Sequence, residues 1–187
     1  MRDEMFIRDK VPMTKEEIRV LSLERLALTN AKHLLDIGGG TGSVSIEAAL
    51  KNSNMKVTVV ERNELAIDLI NKNSQKFKVQ DRLQIIEGYA PIKEFKEKVD
   101  RVFIGGSGNN LEEIFEWIYE LLEEEGILVM NCITLETLTR ALEYLNMTDK
   151  FDDVDGMMVN IGRLEPLGRS TYFKPLNPTY IISAKKK

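Results

Sequence analysis

Apolar residues along this chain come in two rhythms. Short continuous runs alternate with stretches in which apolar residues recur every three or four positions, the signature of buried strands alternating with amphipathic helices. The runs at 34–37, 56–61, 83–87, 100–104 and 127–130 predict five strands. Between and after them, 44–50, 64–76, 110–122 and 135–145 predict helices, and Pro91 is placed to open one more. Thr14 and Glu17 have the spacing of a capping box, with Ile18, Leu21 and Leu26 as the apolar face of the helix that follows. Asn63 is a cap for the 64–76 helix, and Asn110 with Glu113 a cap pair for the next. Past 150 the rhythm changes: 152–161 and 179–183 predict two strands with no helix between them. The expectation is an α/β fold: a mostly parallel sheet of seven strands, helices on both faces and an antiparallel last strand.

The densest chemistry sits where the first run ends. Leu34-Leu35-Asp36-Ile37 leads into Gly38-Gly39-Gly40-Thr41-Gly42-Ser43, and a helix starts at once. Strand, glycine turn and helix form half of a nucleotide-binding βαβ unit. A dinucleotide fingerprint needs a third glycine where Ser43 stands, and a phosphate-cradling loop needs a lysine that the turn lacks. What remains is Asp-x-Gly-x-Gly-x-Gly. Glu61, which ends the second predicted strand 19 residues past Gly42, is placed to accept ribose hydroxyls.

The chain has 187 residues, enough for one domain with a full core. Its expected divisions are an N-terminal lid segment and helix (1–30), a βα core (31–150) and a C-terminal hairpin and tail (151–187). No apolar run approaches the ~20 residues of a membrane span, and the N-terminus does not read as a leader. One cysteine, Cys132, allows no internal disulfide; one histidine, His33, expected in a loop, allows no histidine-rich metal site. A net charge of −4 argues against duplex nucleic acid as the partner. The reading is a cytoplasmic protein without metal, membrane or nucleic acid.

The glycine turn resembles motif I of the class I S-adenosylmethionine (SAM) methyltransferases, whose fold is the seven-stranded Rossmann-like sheet expected above. SAM has an amino group that suits a nearby acid, here Asp36, and the small residues after the third strand, Gly88 and Ala90, leave room for its adenine. Over nearly its whole length the chain resembles the decarboxylating precorrin and cobalt-precorrin C15-methyltransferases of cobalamin synthesis. The residues that carry this are Phe6-Ile7-Arg8, Val11-Pro12-Met13-Thr14-Lys15-Glu16-Glu17-Ile18-Arg19, the Asp36–Ser43 turn, Glu61-Arg62-Asn63, Glu87-Gly88-Tyr89-Ala90-Pro91, Ile104-Gly105-Gly106-Ser107-Gly108, Leu135-Glu136-Thr137, Arg163 and Asn177-Pro178.

The resemblance implies methyl transfer from SAM to C15 of a corrin precursor, with loss of CO2 from the ring C acetate. It implies cofactor contacts at Thr14, Gly38, Gly39, Gly40, Thr41, Gly42, Glu61 and Ala90. Tyr89 stands where the family often has aspartate and offers stacking or an O–H donor instead. Gly106 and Ser107 are candidates for the methyl-transfer site. A tetrapyrrole acceptor carries several carboxylates, so Arg163 and Arg169 are the leading candidates for holding it, with Arg8, Lys10 and Lys174 behind them. A homo-oligomer, a tetramer, and a separate C5-methyltransferase partner are implied in the same way. The alternatives are a class I methyltransferase for another acceptor (RNA, protein or small molecule) and a SAM-binding protein without catalysis. A basic face beside the Gly105 turn favours RNA, and a collapsed cavity favours the non-catalytic reading.

Overall fold

The computed structural model describes residues 1–187. Its centre is a seven-stranded sheet in the order β3-β2-β1-β4-β5-β9-β6. The strands are β1 (His33–Ile37), β2 (Lys56–Glu61), β3 (Leu83–Glu87), β4 (Val99–Ile104), β5 (Leu122–Cys132), β6 (Phe151–Val159) and β9 (Thr179–Lys186). β1 lies at the heart, paired in parallel with β2 and β4. β9, last in the chain, inserts antiparallel between β5 and β6.

Consecutive residues of β1 serve opposite faces, as a strand's period of two requires. Leu34 joins the layer under α1 (Glu16–Arg25), α2 (Ser43–Lys51) and α3 (Glu64–Lys76). Leu35 and Ile37 join the layer under α4 (Leu111–Leu121) and α5 (Leu135–Met147). Both β1 leucines are wholly buried, so truncating either to alanine costs ~2–5 kcal/mol.

Several local expectations are corrected. The capping box does not form: Lys15 takes the N-cap position with no side-chain bond, the Thr14 carbonyl accepts from Arg19 Nη1 (2.6 Å), and Glu17 turns to Arg163. Asn63 does cap α3, accepting from the backbone N–H of Leu65 (2.9 Å) and Ala66 (3.2 Å). Asn110 holds the N-cap position of α4 but makes no capping bond.

No helix starts at Pro91. The chain from Gly88 to Lys98 must run back along the sheet and cross β2 and β1 to reach β4. At the ~1.5 Å per residue of a helix it would fall short. α4 ends at Leu121, and the left-handed residue beyond it is Glu125 (φ 61°). The acids at 123–125 lie in β5, and the C-terminal carbonyls of α4 meet cations. Lys98 donates to the Glu120 carbonyl (2.6 Å), and Lys186 to those of Tyr119 (2.7 Å) and Leu122 (2.8 Å).

His33 is not in a loop but opens β1, buried, with Nε2 2.8 Å from the Thr58 hydroxyl. Desolvation holds its pKa below the ordinary histidine value. Between β6 and β9 the chain forms a separate hairpin, β7 (Gly162–Leu167) and β8 (Ser170–Pro175), that the apolar pattern does not announce. No helix is long and apolar enough to cross a membrane.

Candidate active site

Because β1, β2, β3, β4 and β5 run parallel, their carboxyl ends share one edge of the sheet, where open α/β sheets bind ligands. A cavity of about 1040 Å³ opens there, lined by the residues that follow each strand: 38–40, 61–63, 88–90, 105–110 and 131–133. The segment 10–15 closes one side and 175–177 with Thr179 another.

The two glycine turns abut. Gly38 has φ +78°, and a Cβ there would lie 2.9 Å from the Gly106 nitrogen. Gly40 has φ +55°, and its Cβ would lie 2.8 Å from the Pro12 carbonyl oxygen. The first turn is thus sandwiched between the second turn and the N-terminal segment, with no room for a side chain. Gly106 itself faces open space.

Glu61 is held by backbone. Its Oε2 accepts from Gly40 N–H (2.8 Å), and its Oε1 accepts from the N–H of Arg62 (2.8 Å) and Asn63 (2.9 Å). A carboxylate offers about four acceptor sites. Three are filled, so one ligand hydroxyl fits directly and a second has to displace an N–H.

The expected cofactor residues divide into two groups. Thr14, Gly38, Gly39, Gly40, Glu61, Gly88, Tyr89 and Ala90 line the cavity, as do Gly106 and Ser107. Asp36, Thr41 and Gly42 lie behind the turn and do not. The Asp36 carboxylate is buried and accepts from the Ser45 hydroxyl. Its Oδ1 has no partner, and burial, followed by the nearby Glu61 charge, pushes its pKa up to about 7. The expected meeting of Asp36 with a ligand amino group is therefore not part of this arrangement. The Thr41 carbonyl accepts from Asn73 Nδ2 (3.0 Å), and Gly42 stands at the N-cap of α2, where a Cβ would come within 3.2 Å of Ile46 and Ile70.

The tail cations are also elsewhere. Arg163 forks onto Glu17 (2.7 and 3.1 Å) and reaches Asp3 (3.3 Å). This pairing holds the Glu17 carboxyl below the usual range. Arg169 sits exposed in the β7–β8 turn, and Lys174 pairs with Glu165 (3.1 Å). Of the five expected acceptor cations only Lys10 lines the cavity.

Lys15, Arg62, Asn109, Asn110, Asn131 and Leu176 line it unforeseen. Arg62 lays its guanidinium over the Tyr89 ring, 4.8 Å from the centroid. Asn131 is oriented by the buried Ser22 hydroxyl (2.9 Å). Residue type gives no hint of either. Their position at the carboxyl end of a parallel strand does.

Residues 8–13 form a strap fixed at both ends. Asn73 bonds both backbone groups of Ile7, at 2.7 and 3.0 Å. Arg19, wholly buried, holds the Thr14 carbonyl while its guanidinium pairs with Glu47 (2.7 Å) and Asp3 (3.3 Å). The strap's Pro12 carbonyl then rests over Gly40.

A family model described as a precorrin methyltransferase domain matches residues 4–186. The chain is 43% identical to the cobalt-precorrin-6B C(15)-methyltransferase (decarboxylating) of Salmonella typhimurium, over 100% of this chain and 96% of that protein. Its fold is similar to the precorrin-6y C5,15-methyltransferase structure from Geobacter metallireducens, with TM-score 0.91, 36% identity and coverage of 100% and 96% of the two chains. It is also similar to the precorrin 8w decarboxylase of Methanobacterium thermoautotrophicum, with TM-score 0.88, 31% identity and 98% of each chain covered. The strand order, the paired glycine turns and these full-length similarities agree: the chain belongs to the precorrin methyltransferase family.

Proposed function

We propose that this chain transfers a methyl group from SAM to C15 of cobalt-precorrin-6B, or of its cobalt-free counterpart, and removes the ring C acetate carboxyl as CO2, a step of cobalamin synthesis. The observation that carries the reading is the single open cavity in which 38–40, Glu61 and 88–90 face 105–110 and Asn131. Its volume, about 1040 Å³, is at the upper end for ligand sites and suits two ligands side by side. The non-catalytic alternative called for a collapsed cavity. The RNA alternative called for a basic face at the Gly105 turn, but there Arg140 is neutralised by Glu112 and Glu113 is exposed.

The residues fit SAM. Glu61 offers an acceptor site for a ribose hydroxyl; Gly88 and Ala90, which line the cavity with Leu65, are small enough to admit a base beside them; the glycine turn admits the amino-acid end close to backbone. When bound, SAM supplies an electrophilic sulfonium methyl group. This chain's part is to orient. The absence of a Cβ at Gly106 keeps the space beyond β4 clear for the acceptor carbon, and Ser107 and Asn131 offer polar groups beside it. Such positioning is worth up to ~7–11 kcal/mol of barrier. The one carboxylate lining the cavity, Glu61, is committed to backbone N–H groups, and burial pushes the Cys132 thiol up to about 11, so it stays neutral. No side chain is poised as a base, and the conjugated macrocycle is the electron sink for the pair released with CO2.

The test is mass spectrometry of cobalt-precorrin-6B incubated with the protein and methyl-labelled SAM. One labelled methyl gained with CO2 lost is the expected result. Label without CO2 loss removes the decarboxylase half, and no change despite SAM binding transfers the reading to another acceptor. We place the enzyme in the cytoplasm as a homotetramer working beside a separate C5-methyltransferase. The apolar Leu164, Leu167 and Phe173, exposed on the β7–β8 hairpin, support self-association, which light scattering checks.

A further inference from the structure

The charge of the cavity is opposite to that of the chain. The protein carries a net −4, yet the charged residues lining the cavity are three cations, Lys10, Lys15 and Arg62, against one anion, Glu61. Glu61 is engaged by three backbone N–H groups. The site's outward electrostatics are therefore those of its cations.

These three are not equivalent. Arg62 lies over Tyr89, next to Leu65 and Ala90, on the side assigned to the cofactor base. Lys10 lies in the strap and Lys15 just past its Thr14 anchor, on either side of Pro12, whose backbone carbonyl covers Gly40. The ammonium of Lys10 enters no salt bridge, and the neighbouring Asp9 carboxylate is taken by the Lys10 backbone N–H (2.7 Å). Lys15 has only a long contact to Asp3 (3.9 Å), and Asp3 already serves Arg19 and Arg163, each at 3.3 Å. Both lysines line the cavity, Lys10 without an ion pair and Lys15 with only that long one, whereas Arg163 and Lys174 spend their charge on Glu17 and Glu165. The strap is pinned at Ile7 by Asn73 and at Thr14 by Arg19, so Lys10 is carried between two anchors and Lys15 stands next to the second, at the N-cap of α1.

Resting on the reading above, we propose that Lys10 and Lys15 bind carboxylates of the acceptor, making the strap the element that selects a polycarboxylate ring. The backbone of the strap covers the cofactor turn while its side chains take the second ligand, so one segment serves both halves of the site.

The test compares wild type with Lys10→Gln, Lys15→Gln and the double variant, using cobalt-precorrin-6B and SAM. KM and kcat for the acceptor, and the SAM Kd by calorimetry, are measured at low and high salt. Lys72→Gln, on α3 and paired with Asp68, is the charge control. Each single variant is expected to raise the acceptor KM about tenfold, the range of a charge-assisted contact. The expected kcat and SAM Kd change less than twofold. Wild-type KM rises with salt, and the double variant flattens that slope. Three results overturn the assignment. An unchanged acceptor KM does so. So does a weakened SAM Kd with KM unmoved, which makes the lysines partners of the cofactor's own carboxylate. A KM rise in Arg169→Gln alone returns recognition to the tail. Wild type that binds SAM but neither binds nor methylates this acceptor defeats the functional reading itself, and the strap assignment with it.

Discussion

The two walls of the cavity are made of different material. The wall at 38–40 and Glu61 is backbone: Gly38 and Gly40 at left-handed φ, amide groups gripping one carboxylate, and strand ends fixed by the sheet. The facing wall, from the strap, 105–110, Asn131 and 175–177, is built from segments far apart in the chain, and around the open Gly106 its polar side chains come from Lys10, Ser107, Asn109, Asn110 and Asn131. The first is rigid and generic. The second offers side-chain chemistry, and it is where an acceptor has to be distinguished from others. Damage to each wall is expected to show in different measurements.

The largest effect falls on the second wall's foundation. Arg19→Met takes one guanidinium from the buried Glu47 and Asp3 carboxylates, which keep the N-terminal ammonium (2.7 Å) and Arg163 (3.3 Å), and costs ~3 kcal/mol in a urea titration. In whatever folded fraction remains, the acceptor KM rises more than the SAM Kd, because the strap loses its anchor at Thr14. Equal losses in both would mean that the walls are one unit. Next comes Gly38→Ala, which adds a Cβ at positive φ and 2.9 Å from backbone. SAM affinity by calorimetry is expected to fall about 100-fold, or ~2.7 kcal/mol. An unchanged Kd would disprove the backbone wall.

Glu61→Gln is milder. The amide oxygen still accepts, but the charge is gone, and the SAM Kd is expected to rise about tenfold with the acceptor KM unmoved. The smallest effect is a slope. The Asp36 carboxyl, pushed up to about 7, keeps a proton in the folded state at pH values where the unfolded chain, with a carboxyl pKa of ~3.9, has lost it. Stability contributed by Asp36 is therefore full in acid, declines as pH rises from ~4 to ~7 and is least above that. Asp36→Asn removes this decline, so urea midpoints without ligand at pH 5.5 and 8 lie closer together than in wild type. A slope as steep as wild type would place the proton elsewhere.

The same division explains what could be read in advance. The strand, glycine turn and helix at 33–51, the acid at Glu61 and the cap at Asn63 are local signals, enforced by φ angles and by hydrogen bonds within a few residues. The capping box failed for the opposite reason: Glu17 left its local partner for Arg163, far along the chain, and Arg19 took the Thr14 carbonyl. Arg163 is the other half of that pair, and nothing in the tail's pattern shows that its charge meets Glu17 of α1. Asp36 was assigned by its place beside the glycines, but strand alternation aims its side chain at Ser45 rather than into the cavity. The β7–β8 hairpin was invisible because Leu164, Leu167 and Phe173 have no core within this chain to set their period.

The insertion of β9 between β5 and β6 has a consequence for biosynthesis. Until residues 179–186 have left the ribosome, β5 presents an open edge and β6 has no strand to join. Everything from β1 to β5 can collapse beforehand, but the sheet stays unfinished on that side, with Ile181, Ile182 and Ala184 missing from both faces of the core. Such an edge is a template for other nascent chains. Ribosome stalling or truncation before Thr179 therefore yields an aggregation-prone product rather than a smaller working domain.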